Sequence, residues 1–550
     1  MKILILGGYG VFGGRLAELL ADIPSLELLI CGRSAVKASA FCEQFFGAAR
    51  IKPLLLDRKD IAAALVIHKP DIVVDASGPF QNYGDTPYVV VQACIDAQIN
   101  YLDFADAADF VFGISQFDQA AKTAGIYALA GMSSFPVLTA AVLREMAKEM
   151  TIVSVTGGIA PSAYAGIGLN VMRAVIGYAG GPVKLLRGGQ AFEAKGLTES
   201  RRYTIAPPGQ LPLRALRFSL VDVPDLQVLP PEYPDMQDIW MGAGPVPESL
   251  HRALNLLAKL RAWLHLPSLT PFAKLFYTVL NLMKFGEHRG GMFVHVTGVK
   301  NGQPVENSWH LLAEGDDGPY IPSMAIEAIL RKQLAGVLPD IGARPATNAL
   351  QLADYETLFS NRTIYTGFRS PASGPAYQQV LGKAFEGLPR QIKTLHSLTE
   401  QQIWVGEAEV QRGKGFIARI IAKTIGFPPA GNNVPLRVTL TPSGDKEIWQ
   451  REFSGKKFRS VQWPGKDRNQ HLMLEKFGPI TVAMALVLKN NRLQLIPRRW
   501  FFLGLPLPKF LLPAGDTFET EQDGKFRFHV TIKAPLIGLI VAYQGWLVQE

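Results

Sequence analysis

The sequence predicts an α/β chain: a doubly wound parallel sheet at the amino end, an α+β region in the middle and a mainly antiparallel β region at the carboxyl end. Three observations predict it. Short apolar runs alternate with helical spacings through about residue 140. A glycine-rich turn joins the first run to the first helix. Beyond about residue 400, short alternating segments follow one another with turn residues between them, the pattern of a sheet that curls or closes.

Ile3 to Leu6 form a continuous apolar run suited to a strand buried on both faces. Glycines at 7, 8, 10, 13 and 14 then make a turn, and from Val11 the apolar spacing is helical, with Leu16, Leu19 and Leu20 on one side. A secretory signal needs an uninterrupted apolar core, and this run breaks after four residues. Gly8, Gly10 and Gly13 fall into G-x-G-x-x-G between a predicted strand and a predicted helix, where dinucleotide-binding proteins carry it. Gly8 is expected to allow the tight turn, Gly10 the close approach of a pyrophosphate, and Gly13 the packing of helix on strand. Gly7, Gly8, Tyr9, Gly10, Val11, Phe12 and Gly13 are therefore the candidate cofactor loop.

The second strand, LELLICGRS, ends where an NAD-binding protein carries Asp or Glu for the ribose hydroxyls. Arg33 stands there instead. A guanidinium cannot accept a hydroxyl proton but pairs with a 2′-phosphate, and Ser34 adds a hydroxyl, so NADP(H) is expected in preference to NAD(H). Asp57 ends a third strand and Ser77, Gly78, Pro79 and Phe80 follow a fourth, an adenine-side residue and a wall for ribose and nicotinamide respectively. A fifth strand (INYLDFAD) and a sixth (GIYALAGMSSFP) complete the sheet. Their ends supply the catalytic candidates: Tyr101, Asp103 and Asp106, then Ser133 and Ser134, with the aspartates as proton carriers and the serines orienting a carbonyl or carboxylate. The same residues also suit helix caps and strand-end backbone groups.

GGYGVFGG, CGRS, DIVVDASGPFQNYG, YLDFADAADF and AGMSSFP together resemble the saccharopine dehydrogenase-like oxidoreductases. The resemblance implies an NADP-binding Rossmann domain over the first 140 residues. GGPVKLLRGG, VDVPDLQVLP, GGMFVHVTG and EGDDGPYIP resemble that family's second domain, and the carboxyl-terminal segments WQREFSG, EKFGP, GLPLP and GLIVAYQGWL resemble a domain of unknown function that recurs in such proteins. The expected domains are 1–140 for the dinucleotide, 141–370 for substrate and dimerisation, and 376–550 for the basic β-rich domain.

A chain of 550 residues, 48% hydrophobic, has material for two or three cores. Cys31, Cys42 and Cys94 form no paired framework, and the nine histidines show no H-x-x-H spacing, so reduced thiols, a cytoplasmic setting and no metal are expected. In the middle region Leu250, Leu254, Leu257, Leu260 and Trp263 line a helical stripe expected to be core or subunit interface. The stretch TPFAKLFYTVLNLMKFG after it is too short to span a bilayer, and burial is favoured over contact with a membrane surface.

Residues 376–550 hold 24 Lys and Arg against 14 Asp and Glu, so the whole positive excess of the chain lies there. The positives are dispersed with no aromatic-interleaved RNA motif, which argues against nucleic acid and leaves a solvated basic surface or contact with anionic lipid at the membrane periphery. Two readings of function stay open. In one, the chain is an NADP-dependent oxidoreductase acting on a small amino-acid-like or lipid-linked substrate; in the other, it binds NADP without catalysis and works as a lipid- or partner-binding module.

Overall fold

The computed structural model describes every residue except 167, 246, 247, 283–285 and 372. The chain divides into two compact units, Met1–Arg201 with Leu216–Tyr365, and Arg202–Ala215 with Thr366–Glu550.

The first unit opens with strand β1 (Lys2–Leu6), helix α1 (Val11–Leu19), strand β2 (Glu27–Gly32), helix α2 (Ala35–Gln44) and strand β3 (Arg50–Leu55). Strands β4 (Ile72–Asp75), β5 (Asn100–Asp103) and β6 (Tyr127–Ala130) follow. They form one parallel sheet in the order β6, β5, β4, β1, β2, β3, and the order reverses between β1 and β4. Apolar runs make these strands because both faces are covered: Ile3, Leu4 and Ile5 are wholly buried. A seventh strand, Gly342–Pro345, returns from the middle region to pair with β6, so residue 140 is not a boundary between compact units. Four residues reading GARP carry no apolar run to announce it.

A second, mixed sheet in this unit includes Leu216–Leu220, Asp238–Ala243, Thr151–Ala160, Arg289–Lys300 and Gln303–Glu314 in that order. Helix Leu169–Tyr178 packs with Ala258 and Ala273 in a small apolar cluster. The helical stripe expected in a core or a subunit interface lies mostly outside the core. On helix Glu248–Leu264 only His251, Leu254, Asn255 and Ala258 are buried, while Leu257, Leu260 and Trp263 face outward. On helix Ala273–Leu282 only Ala273 is buried, with Phe272 before it and Leu275 and Leu282 on it exposed. Small residues form the seam because only they let the helices approach closely, and the large side chains are left outside.

The second unit closes as a barrel. Ten consecutive antiparallel strands run from Gln402–Arg412 to Gly538–Gln549, each beside its neighbour in sequence, and the last pairs with the first. Full closure removes the open edges that a sheet of this length would expose. Strands Met473–Phe477, Thr517–Gln522 and Gly538–Gln549 join those legible as alternating segments. Before the first barrel strand the chain forms two short helices, Ala376–Leu381 and Arg390–His396, kept apart because Gly382 takes φ 57° and Pro389 precedes the second. Tyr377, Leu381, Ile392 and Leu395 insert into the barrel core with Trp404, Trp449 and Phe453. On the outer wall Leu472, Leu474, Ala483 and Ala485 are covered by Leu211 from the 202–215 segment. Among the described residues no helix is long and apolar enough to cross a membrane.

Candidate dinucleotide and catalytic site

The glycine turn sits at the carboxyl end of β1, beside the point where the strand order reverses, the crevice in which open parallel sheets take ligands. The positive φ falls on Gly7 (72°), so the tight turn expected at Gly8 is made one residue earlier. A Cβ at Gly8 would lie 2.9 Å from the Ile5 carbonyl and 3.1 Å from Ile30, and one at Gly13 would lie 2.6 Å from the Gly7 carbonyl. Both glycines hold helix, loop and strand in contact. Gly10 caps α1 without a side-chain hydrogen bond, and no acidic residue stands in the first turn. A helix start left this way presents backbone N–H groups and partial positive charge to an anion, which fits a pyrophosphate. Ser323 Oγ donates to the Phe12 carbonyl at 3.1 Å, and Phe12 stacks on Phe104 with centroids 5.7 Å apart, fixing the first turn of α1.

Tyr9 crosses the end of β2, where a Cβ on Gly32 would be 2.4 Å from its ring, and its hydroxyl accepts the Ser34 N–H at 3.1 Å. Arg33 is therefore held at the rim of the crevice, exposed, next to an aromatic ring. Ser34 Oγ caps α2 by accepting the Lys37 N–H at 3.4 Å, so its oxygen already has a structural partner while its proton stays available. Asp57 caps the turn after β3, accepting the Lys59 N–H at 3.1 Å.

Ser77 to Phe80 make the expected turn after β4, with a cis peptide between Gly78 and Pro79. Around it lies a cluster that the sequence did not signal. Ser77 donates from both N and Oγ to Asp75 Oδ1, at 2.9 and 2.6 Å, and its Oγ lies 2.9 Å from the Tyr83 hydroxyl. The Arg58 guanidinium stacks 3.5 Å from the centre of the Tyr83 ring and donates to the Pro87 carbonyl at 2.8 Å. Burial pushes the Asp75 carboxyl up. Asn170 reaches this turn from the second sheet's side, donating to the Gly78 carbonyl at 2.7 Å, and Arg173 donates to Asn170 Oδ1 at 3.1 Å.

The five catalytic candidates separate. Tyr101 and Asp103 are wholly buried behind the strand ends. One Asp103 oxygen accepts the N–H of both Ala105 (2.9 Å) and Gly131 (2.7 Å), which ties the end of β5 to the end of β6, and burial pushes its carboxyl to about 7. Asp103 is thereby placed to hold the sheet. Ser134 is buried and Ser133 half-buried where the chain turns after β6. Asp106 alone among the acids remains on the crevice side, half-buried, with Gln81 donating to it at 3.1 Å.

Asp106 gains partners from the middle region. Asp222 is pushed to about 6, first by burial and then by the negative charges of Asp109 and Asp106. Tyr178, at the end of the 169–178 helix, is pushed far up by burial and by the charges of Asp222 and Asp106. Lys184 donates to Asp109 at 3.1 Å and offsets part of that negative field. Asp222 and Tyr178 lie more than 70 residues beyond Asp106 with no local motif, which is why the sequence alone did not single them out. Among the described residues no group of three His, Cys, Asp or Glu is placed to hold a metal ion. Cys31 and Cys94 are buried, and burial pushes the Cys31 thiol to about 12, so neither is a ready nucleophile.

Residues 3–129 match the saccharopine dehydrogenase NADP binding domain, and residues 388–547 match a domain of unknown function (DUF4166). No curated protein sequence matches. Similar solved structures include a probable dehydrogenase from Thermotoga maritima, 12% identical over 62% of this chain and 91% of that one with a TM-score of 0.32. Another is the WlbA (WbpB) dehydrogenase from Thermus thermophilus in complex with NAD and alpha-ketoglutarate, 12% identical over 66% and 99% with a TM-score of 0.29. The chain therefore carries a saccharopine dehydrogenase-type NADP-binding domain joined to a carboxyl-terminal domain of unknown function, the make-up of a nicotinamide-dinucleotide-dependent oxidoreductase.

Proposed function

We propose that the chain transfers a hydride between NADP(H) and a small amino-acid-like or lipid-linked substrate, with Asp222 and Asp106 handling the substrate's proton. The observation that carries the reading is the pairing of an uncapped glycine turn with Arg33, where a carboxylate would select NAD. Gly8, Gly10 and Gly13 let the backbone cradle the pyrophosphate, Arg33 and Ser34 meet the 2′-phosphate, and Asp57 flanks the adenine. Ser77 to Phe80 wall the ribose and nicotinamide side.

When bound, the nicotinamide supplies or accepts the hydride. The chain's own residues do the rest. Asp222, with a pKa of about 6, exchanges a proton near neutrality. Asp106 stands near enough for its negative charge to raise Asp222 further. Asn170 and Gln81 orient a carbonyl or carboxylate between them, with Arg173 behind Asn170. Localisation in the cytoplasm and a homodimer complete the proposal.

The reading is tested by following NADPH oxidation with amino-acid/keto-acid pairs and with enoyl lipids, across pH, in wild type and Asp222→Asn. A rate limb near pH 6 that vanishes in Asp222→Asn, while NADPH affinity stays within about twofold, supports the assignment. NADPH that binds and is never oxidised by either substrate class returns the chain to the non-catalytic NADP-binding reading.

A further inference from the structure

The barrel has two unlike ends. At one, the turns after Ser443, Lys489 and Gln522 are Gly444–Asp445, Asn490–Asn491 and Asp523–Gly524, small and polar. The other is where strand Gln402–Arg412 finishes and strand Gly431–Ser443 begins. Strand register brings three segments there: the helix Phe416–Ile425 between those strands, the 503–516 connection after strand Arg492–Phe502, and the turn at 535–537 before strand Gly538–Gln549.

Every exposed large apolar side chain described in this unit lies at that second end. Phe416, Ile417 and Ile420 point outward from the helix, whose buried positions are only Ala418 and Ala422. Phe502, Leu503, Leu505 and Phe510 stand on the 503–516 connection and its strand, and Leu536 at the tip of the last turn is fully exposed. A patch this apolar on one face of a folded unit marks a surface that is covered in use.

Its charge says by what. No Asp or Glu occurs between residues 413 and 431, nor between 497 and 515. Lys414 precedes the helix and Arg419 and Lys423 lie on it, and Lys456, Lys476 and Lys533 end the neighbouring strands with the acid Glu452 among them; Asp516 is the one carboxylate within the connecting segments. Cations around protruding Phe, Leu and Ile suit the interfacial zone of a bilayer, where apolar side chains enter the acyl boundary and the cations meet anionic headgroups. A second copy would bring cation against cation at the same rim. The wall between the two ends carries exposed Glu407, Glu409 and Arg437, the reverse of the apolar belt a membrane-spanning barrel needs, so the rim alone is built for lipid.

We propose that this end of the barrel is a docking surface for an anionic membrane, with the helix Phe416–Ile425 and Leu536 entering the bilayer interface. The proposal is independent of the cofactor reading.

The test is co-sedimentation of the full chain with vesicles of phosphatidylcholine alone and of phosphatidylcholine mixed with phosphatidylglycerol, at low and high salt. The mixed vesicles are expected to bind the protein at least about tenfold more tightly, with the difference shrinking in high salt. Phe416→Ser/Ile420→Ser/Leu536→Ser is expected to lose at least about tenfold in affinity, and Lys414→Glu/Lys423→Glu to lose the preference for the mixed vesicles, both with unchanged circular dichroism and NADPH affinity. Three results would overturn it: no binding to the mixed vesicles, binding that survives both rim variants, or binding lost only when Trp263→Ser/Leu264→Ser is made in the other unit. Concentration-dependent dimerisation abolished by the rim variants, without vesicle binding, would assign the surface to a second copy instead.

Discussion

The two units treat most of their buried carboxylates differently. In the barrel they are met by side-chain partners: Arg451 donates to Glu475 at 3.3 Å and to Ser460 at 2.8 Å, and His396 lies 2.6 Å from Glu519. Glu447 is the partial exception, accepting the Ala376 N–H at 2.9 Å while burial pushes it up. In the dinucleotide unit, Asp103 and Asp225 are pushed to about 7 and Asp222 to about 6, in each case chiefly by burial. The barrel pairs most of its buried acids, whereas the dinucleotide unit pairs Glu327 with Arg331 at 2.9 Å and leaves Asp103, Asp222 and Asp225 raised by burial. Protons that exchange near pH 7 therefore lie in the unit that carries the glycine turn, and the barrel's polar interior is spent on its own cohesion.

The sharpest way to break this contrast is Arg451→Ala. It leaves Glu475 buried without its cation and is expected to cost the barrel about 3–5 kcal/mol, read by denaturant unfolding, while NADPH affinity changes less than about twofold. In the other unit the sign reverses with pH. The Asp225 carboxyl has a folded pKa of about 7 against an ordinary 3.8, so it costs nothing below pH 4, and the penalty grows as pH rises toward 7. Asp225→Asn should therefore match wild type in thermal midpoint at pH 4 and exceed it increasingly up to pH 8, by a gain of up to about 4 kcal/mol. A gain that is the same at every pH would mean the carboxyl is ionised throughout.

Smaller effects sharpen the dinucleotide side. Gly13→Val places side-chain atoms against the Gly7 carbonyl, 2.6 Å from its Cβ, and should weaken NADPH binding by about 100-fold, or about 3 kcal/mol. Calorimetric titration checks it, with Gly125→Ala, whose site is open, as the control for a merely destabilising glycine change. Ser34→Ala removes the cap of α2 and should cost about 0.5–1 kcal/mol of stability, with a loss of NADPH affinity only if the hydroxyl also meets the phosphate.

Much of the first unit was legible because parallel strands buried on both faces write themselves as apolar runs, and because G-x-G-x-x-G is a local motif with a local cause. What was not legible came from far along the chain. The Gly342–Pro345 strand has no apolar pattern, and Asp222 and Tyr178 acquire meaning only beside Asp106. Asp103 misled because a carboxylate at a strand end reads alike whether it meets substrate or backbone; only its two amide partners and full burial separate the cases. The outward Leu257, Leu260 and Trp263 misled because helical spacing says that a face is apolar, and not that something covers it. In the barrel, alternation announced most strands, yet closure depends on the last strand meeting the first across more than 100 residues, which no local pattern encodes.

On the proposed function, Arg33 sets the preference for NADP(H). The direct measurement is a pair of tryptophan-fluorescence titrations, NADPH and NADH, on wild type and Arg33→Asp. The account predicts NADPH binding at least about tenfold tighter than NADH in wild type, and a loss or reversal of that preference in Arg33→Asp. Equal affinity for the two nucleotides, or a preference untouched by the substitution, would contradict it.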